Sequence, residues 1–432
     1  MKIVLIGAGS YVFGPSVLAQ TYLEEGLGDV HLALVDPDAE AIGLMAAVGR
    51  RMARERGLAT TITTHTDRAA ALAGADFVLC SASVQMQRRF AMDSAIIDEY
   101  APRHFKTEFG GIAGISYSLR QIALIEAVAG DMRRLCPGAW LLNMANPLPR
   151  VVQAAHALGI RTAGFCIVSI TAYAMLWALL EGGWPEYPFA EARRRWHVES
   201  AGLNHFAWVV EARERESGAD LLPALRERAA RGDATAVNPR AQKLLRRTGY
   251  LLAAADDHTR DFLEPAADAP RADEQPWHGG ASERARRLEL LRRVGEGTCP
   301  WSEILRHEAW EKPIQFAAAI AGVRAADFHA LNLSNEDGHI ANLPRQVFVE
   351  TACRVEDGRI SPSRITLPES VLPLCLRTAQ VTDAIVRAAR ERSRELVHAA
   401  VAADPTVLDK AAGIRAIDAC LAAHADLLPA YA

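Results

Sequence analysis

Three groups of residues could do chemistry. The first is the turn Gly7-Ala8-Gly9-Ser10-Tyr11-Val12, which follows the apolar run Ile3–Ile6 and precedes a helical stretch. Gly7 permits the tight turn, Gly9 lets backbone amides approach a pyrophosphate, and a helix N-terminus adds partial positive charge. Val12 stands where the dinucleotide fingerprint has its third glycine. Asp36 ends the second apolar run, where a carboxylate can accept from both hydroxyls of an adenosine ribose. It would repel a 2′-phosphate, which favours NAD over NADP. The bland reading is a structural turn without cofactor. The second group lies at later strand ends, in Ser81-Ala82-Ser83 and Asn143-Met144-Ala145-Asn146-Pro147. An asparagine amide there could orient a nicotinamide or a substrate hydroxyl, and an Asn-Pro pair is equally a turn that stops a strand. The third group is Cys166 with His205, thirty-nine residues later in Gly202-Leu203-Asn204-His205. A thiolate and an imidazole can share a metal, but spacing alone leaves open a core cysteine and a hydrogen-bonded loop histidine.

These groups need a scaffold, and the first two hundred residues supply one. Ile3–Ile6, His31–Val35, Thr60–Thr64, Phe77–Cys80, Trp140–Asn143 and Thr162–Cys166 read as buried strands. Helical stretches Pro15–Glu25, Asp38–Arg56, Ser116–Leu135 and Leu148–Leu158 alternate with them. That alternation predicts an α/β fold whose N-terminal part is a Rossmann-type, doubly wound parallel sheet, with ligands at the strand C-termini. After about Arg195 the rhythm changes, so a second, α+β domain is expected over 196–432, following a dinucleotide-binding domain over 1–195. Trp196–Ala201, Phe206–Glu211 and Val347–Val355 read as strands, Leu221–Gly232 and Asn238–Leu252 as helices, and the end from Ser370 as helical. Residues 264–285, rich in Pro, Ala and Asp, predict an exposed loop.

The 432 residues are half hydrophobic and 23% charged, enough to bury a core without disulfides or metal. A net charge of −4 with no basic block disfavours nucleic acid as a partner. Seven cysteines without a CxxC pair suit a reducing compartment. Met1–Ile6 meets the glycine turn with no cleavage site, and the apolar stretch Ile167–Leu180 is too short for a bilayer. A cytoplasmic enzyme with no membrane partner is the expectation.

The Asn-Pro signature is similar to that of the lactate and malate dehydrogenase superfamily. Nearly end to end, the chain resembles the family-4 glycoside hydrolases, which need NAD and a divalent metal, usually manganese. The resemblance rests on Gly7-Ala8-Gly9-Ser10, Ala73-Gly74-Ala75-Asp76-Phe77-Val78, Leu119-Arg120 and Asn143 to Asn146-Pro147. It continues through Gly164-Phe165-Cys166, Gly202-Leu203-Asn204-His205, Asp220-Leu221-Leu222-Pro223 and Gly338-His339-Ile340-Ala341-Asn342-Leu343-Pro344. It implies Mn²⁺ on Cys166 and His205, and NAD on Gly7, Gly9, Ser10, Tyr11, Val12, Asp36, Ser81 and Asn143.

The implied chemistry departs from that of two-carboxylate glycosidases. Hydride leaves C3 of the sugar, a base takes the acidified C2 proton, and the C1 substituent is eliminated. Water then adds and C3 is reduced again, so NADH should not accumulate. The resemblance puts the base among Tyr250, Asp256 and Asp257, with Asp256 favoured, or else the Asp256-Asp257-His258 cluster is a helix cap or a solvated loop. It makes Glu108 the leaving-group acid, or else an exposed loop carboxylate. Arg88, Arg89 and Arg120 could hold a sugar carboxylate or hydroxyls, Asn146 a hydroxyl, and Asn204 could brace the metal site or a substrate hydroxyl. The sequence Cys166-Ile167-Val168-Ser169 matches none of the family's substrate-tracking motifs, since Ile167 offers no side-chain hydrogen bond. A small unphosphorylated glycoside, uronides included, is the expected partner, and a homodimer or homotetramer the expected assembly. The other readings are a sugar or hydroxy-acid dehydrogenase that releases its oxidised product, and a degenerate NAD-binding regulator.

Overall fold

The computed structural model describes residues 1–233, 236–255, 257–263, 280–304 and 310–431. Its first six strands are β1 (Lys2–Ile6), β2 (His31–Val35), β3 (Thr61–His65), β4 (Phe77–Cys80), β5 (Trp140–Asn143) and β6 (Arg161–Gly164). They run parallel in the order β3-β2-β1-β4-β5-β6. Strands buried on both faces read as near-continuous apolar runs, which is why Ile3–Ile6, His31–Val35 and Phe77–Cys80 read as strands in the sequence. The expected doubly wound sheet is therefore present.

The later strands are β7 (Trp196–Leu203), β8 (Phe206–Glu214), β9 (Ala326–Ser334), β10 (Phe348–Glu356) and β11 (Arg359–Pro362). They do not form a sheet of their own. β9 adds antiparallel to β6, and the order continues β9-β10-β7-β8, with β11 on the edge of β10. Three bridges align one row across this seam: Gly164 opposite Asn332, Asn332 opposite Glu350, and Glu350 opposite Gly202. Gly164 and Asn332, 168 positions apart, thus become neighbours at the end of the parallel sheet.

Helix Gly111–Leu135 is the central helix of one face. By length and composition it could cross a membrane, yet 78% of its apolar window is buried inside the fold, as a core helix requires. Its burial is polar as well as apolar. Arg120 pairs with Asp93 (Nη2–Oδ2 2.8 Å), both buried, and its Nη1 donates to Ser116 Oγ. His424, from the C-terminal end, contacts Asp93 Oδ1 through Nε2 at 2.8 Å. Because Arg89 Nη1 donates to His424 Nδ1, the imidazole proton sits on Nε2 and points at Asp93. Burial works against the Asp93 charge, but the His424 hydrogen bond and the Arg120 guanidinium hold its carboxyl below the usual range.

Residues 280–285 depart from the expected loop: they open helix Gly280–Glu296, while 264–279 lie outside the described residues. The helix returns to the first sheet and packs on helix Ala39–Glu55, where Arg51 Nη1 donates to Val294 O and Cys299 O at 2.6 Å. The Pro, Ala and Asp composition concealed this start because little of the helix is apolar.

Candidate functional site

A cavity of about 770 Å³ opens at the C-terminal ends of β1, β2 and β4. Gly7, Gly9, Ser10, Tyr11, Val12, Asp36 and Ser81 line it. Gly7 has φ +88°, and a Cβ there would lie 2.9 Å from the Ala82 nitrogen. A Cβ on Gly9 would fall 2.9 Å from the Asp36 carboxylate, which instead accepts the Gly9 N–H at 3.1 Å. Its other oxygen accepts the Asp38 N–H at 3.0 Å. Ser10 Oγ accepts the Val12 and Phe13 amides at the start of the helix. The turn is thus a bare backbone cradle with one fixed carboxylate, which fits the pyrophosphate and ribose of a dinucleotide.

Asn143 is the exception. Its side chain is buried and donates from Nδ2 to Ala145 O at 2.8 Å, one residue below the cavity wall formed by Met144, Ala145 and Asn146. Arg284 also lines the cavity, reaching it from helix Gly280–Glu296 and pairing with Asp38 at 2.8 Å. Burial pushes the neighbouring Tyr11 phenol up, as does the Glu283 charge.

At the opposite end, Asn146 Nδ2 donates to Glu108 Oε2 at 3.3 Å, and both residues line the cavity. Glu108 is buried, not an exposed loop carboxylate. Tyr117 lies beside them and donates to Ser83 Oγ at 3.3 Å. Burial and the Glu108 charge both push its phenol up.

Cys166 and His205 meet: Sγ lies 3.1 Å from Nε2. Cys166 is the one cysteine of the seven that is not buried. His205 occupies the tip of the two-residue connection between β7 and β8 with φ +56°, a left-handed conformation that favours Gly or Asn. Strain of this kind, of order 1–3 kcal/mol, persists where the surroundings fix a residue for use. Asn204 Nδ2 donates to Cys166 O at 2.7 Å. Among the described residues no third His, Cys, Asp or Glu completes a ligand cluster. One soft and one borderline donor at this separation fit a divalent cation whose remaining positions stay open to substrate.

The two ends are joined by one loop. Glu108 faces the cavity, while the ring of Phe109 packs on His205 with centroids 4.9 Å apart. Phe109 N donates to Asp261 Oδ2, which also contacts His258 Nδ1 at 3.2 Å. The His258 ring stands edge-on to His205 at 4.9 Å.

The remaining expected residues scatter. Asp256 and the Asp257 side chain lie outside the described residues. Tyr250 packs under the Arg226 guanidinium, 5.0 Å from its ring centre, and does not line the cavity. Arg88 is exposed beside Gln85. Arg120 is committed to Asp93, and Arg89 to His424 and Asp426, because burying a guanidinium requires such partners. Sequence reading missed Tyr117, Arg284, Asp261 and Glu311, and took His258 only as part of the Asp256-Asp257-His258 cluster. Burial pushes the Glu311 carboxyl up, and the His205 imidazole pulls it down. None of these has a local pattern to announce it.

Residues 2–181 match the model described as family 4 glycosyl hydrolase, and residues 200–407 match that family's C-terminal domain. An α-galactosidase from Bacillus subtilis is 26% identical over all of this chain and 99% of its own. An α-galacturonidase from the same organism is 25% identical over 94% of this chain and 93% of its own. The solved 6-phospho-α-glucosidase from gut microorganisms, in complex with NAD and Mn²⁺, superposes with a TM-score of 0.75 at 21% identity. That superposition covers 99% of this chain and 98% of the other.

Proposed function

The chain belongs to the family 4 glycosyl hydrolases, and on that premise we propose that it cleaves a small unphosphorylated glycoside, galactoside or galacturonide in type, using NAD and a divalent cation such as Mn²⁺. The observation that carries this reading is the 3.1 Å approach of Cys166 to His205, tied through the Glu108–Phe109 loop to the dinucleotide cavity. The relatives named above support the substrate class, since both align along nearly their whole length and act on galactose-type sugars by name.

When bound, NAD would take hydride from the sugar C3 and later return it, and the cation would supply Lewis-acid polarisation. The chain's own groups do the rest. Gly7, Gly9 and the helix start hold the pyrophosphate, and Asp36 accepts from the ribose. Cys166 and His205 would hold the cation. Glu108 donates a proton to the departing C1 oxygen while Asn146 fixes that carboxyl and the sugar. Tyr250, Asp256 and Asp257 remain the proposed sources of the base that takes the C2 proton, with Asp256 favoured.

The test uses purified, reduced protein with NAD and Mn²⁺ against α-galactosides and α-galacturonides in deuterated water. Cleavage with deuterium at C2 and a flat NADH absorbance is expected. Stoichiometric NADH without cleavage would make the protein a dehydrogenase and overturn the proposal.

A further inference from the structure

The side chain best placed to control the thiol–imidazole pair works through two amides that grip the cysteine carbonyl. Glu350 lies on β10, fully buried, in the middle of the row Gly164–Asn332–Glu350–Gly202. Both ends of that row are glycine for a steric reason. A Cβ on Gly164 would fall 2.9 Å from the Asn332 Cβ, and one on Gly202 would fall 2.7 Å from Phe206 O. The glycines let the strands carrying the two donors close on the central pair.

Glu350 Oε2 accepts from Asn204 Nδ2 at 3.1 Å and from Asn332 Nδ2 at 3.2 Å. Each of those amide groups also reaches the Cys166 carbonyl, at 2.7 and 3.3 Å. One oxygen of Glu350 therefore orients two amides, and the two amides grip one carbonyl, that of the cysteine. Asn204 is also the residue before His205, so the same oxygen anchors the hairpin tip that presents the imidazole. A buried carboxyl is costly to place in a sheet, and an apolar residue would pack there more cheaply. Its retention calls for a use.

We propose that Glu350 is a positioning residue that sets the approach of Cys166 to His205 by accepting from Asn204 and Asn332, and so fixes the affinity of the pair for a divalent cation. The inference rests on the metal reading above, and the experiment separates the two. Mn²⁺ binding to the full-length protein with NAD present is measured by electron paramagnetic resonance of the free ion. The variants are Glu350→Leu, Glu350→Gln, Asn332→Ala and His205→Ala. The alkylation rate of Cys166 by iodoacetamide is followed without metal, by peptide mass spectrometry.

Glu350→Leu is expected to weaken Mn²⁺ binding by at least about tenfold, the usual effect of removing a partner behind a ligand, and Glu350→Gln by less than about threefold. The glutamine carbonyl still accepts from both amides, so rescue by the conservative variant marks positioning. Cys166 alkylation should change in Glu350→Leu and stay near wild type in Glu350→Gln. Should Glu350→Leu fail to fold, Asn332→Ala carries the test, with an expected loss between the other two. Wild-type Mn²⁺ affinity and alkylation in Glu350→Leu and Asn332→Ala would overturn the inference alone. So would a Glu350→Gln as impaired as Glu350→Leu. If His205→Ala binds Mn²⁺ as wild type does, the metal reading falls, and with it the claim on affinity; the metal-free alkylation rate then reports directly on whether Glu350 positions the thiol.

Discussion

The two ends of the site are built in opposite ways. The dinucleotide cradle is local: Gly7 to Val12 and Asp36 come from the first two strands and the turn between β1 and its helix, and backbone supplies most of the contacts. The Cys166–His205 pair is assembled from afar, across the row β6-β9-β10-β7, and depends on side chains on β9 and β10 and just beyond the ends of β6 and β7. Local construction leaves a contiguous motif, whereas remote construction leaves scattered single residues. The first should therefore tolerate changes in the later strands, and the second should fail without disturbing the first.

The largest effect expected follows from that separation. His205→Ala or Cys166→Ala should remove glycoside cleavage altogether, while NAD affinity, measured by titration calorimetry, stays at the wild-type value. Loss of NAD binding together with cleavage would mean that the two ends are one cooperative unit, and the contrast would not hold.

Next in size is a change in the core. Arg120→Met leaves Asp93 buried beside His424 without its guanidinium, and breaking a buried pair in this way costs about 3–5 kcal/mol. Denaturant unfolding should show that loss, and Asp93→Asn added to Arg120→Met should recover part of it. The pH dependence has a definite sign. The folded Asp93 carboxyl is held below its ordinary value, so its contribution is present above the ordinary carboxylate range and is lost as pH falls through the folded value. Arg120→Met should flatten that acid limb. A variant with full stability and a raised KM would instead return Arg120 to the substrate.

The parallel sheet was legible because strands buried on both faces announce themselves as apolar runs. His31–Val35, Phe77–Cys80 and Trp140–Asn143 have the bounds read from sequence. Helix Met86–Tyr100 did not, since only two of its buried positions, Phe90 and Ile97, are apolar, and the other two, Arg89 and Asp93, are buried by pairing. In the candidate site, Gly7, Gly9 and Asp36 were legible from spacing, and Cys166 and His205 only through resemblance. Glu350 and Asn332 were not read as site residues at all, because their meaning lies in strand pairings that no stretch of sequence encodes.

A smaller effect should follow at the cradle. Gly7→Ala forces a side chain into φ +88° and against the Ala82 backbone, a strain of about 1–3 kcal/mol. Thermal unfolding should fall accordingly and NAD affinity with it, while Cys166 alkylation stays unchanged.

The smallest predicted effect is the sharpest probe, because Arg284 is where the later chain reaches the cradle. It lines the cavity from helix Gly280–Glu296 and pairs with Asp38, yet the two side chains keep 47% and 38% of their surface exposed. A pair that wet contributes at most about 1 kcal/mol, and salt screens it further. If the cradle is self-contained, Arg284→Ala should weaken NAD binding by less than about fivefold, and the difference should vanish at high salt. The helix itself is held independently by the Arg51 contacts to Val294 and Cys299, so the substitution should not release it. A loss of a hundredfold would mean that the returning helix closes the adenosine end, and that the early and later parts of the chain bind the dinucleotide together.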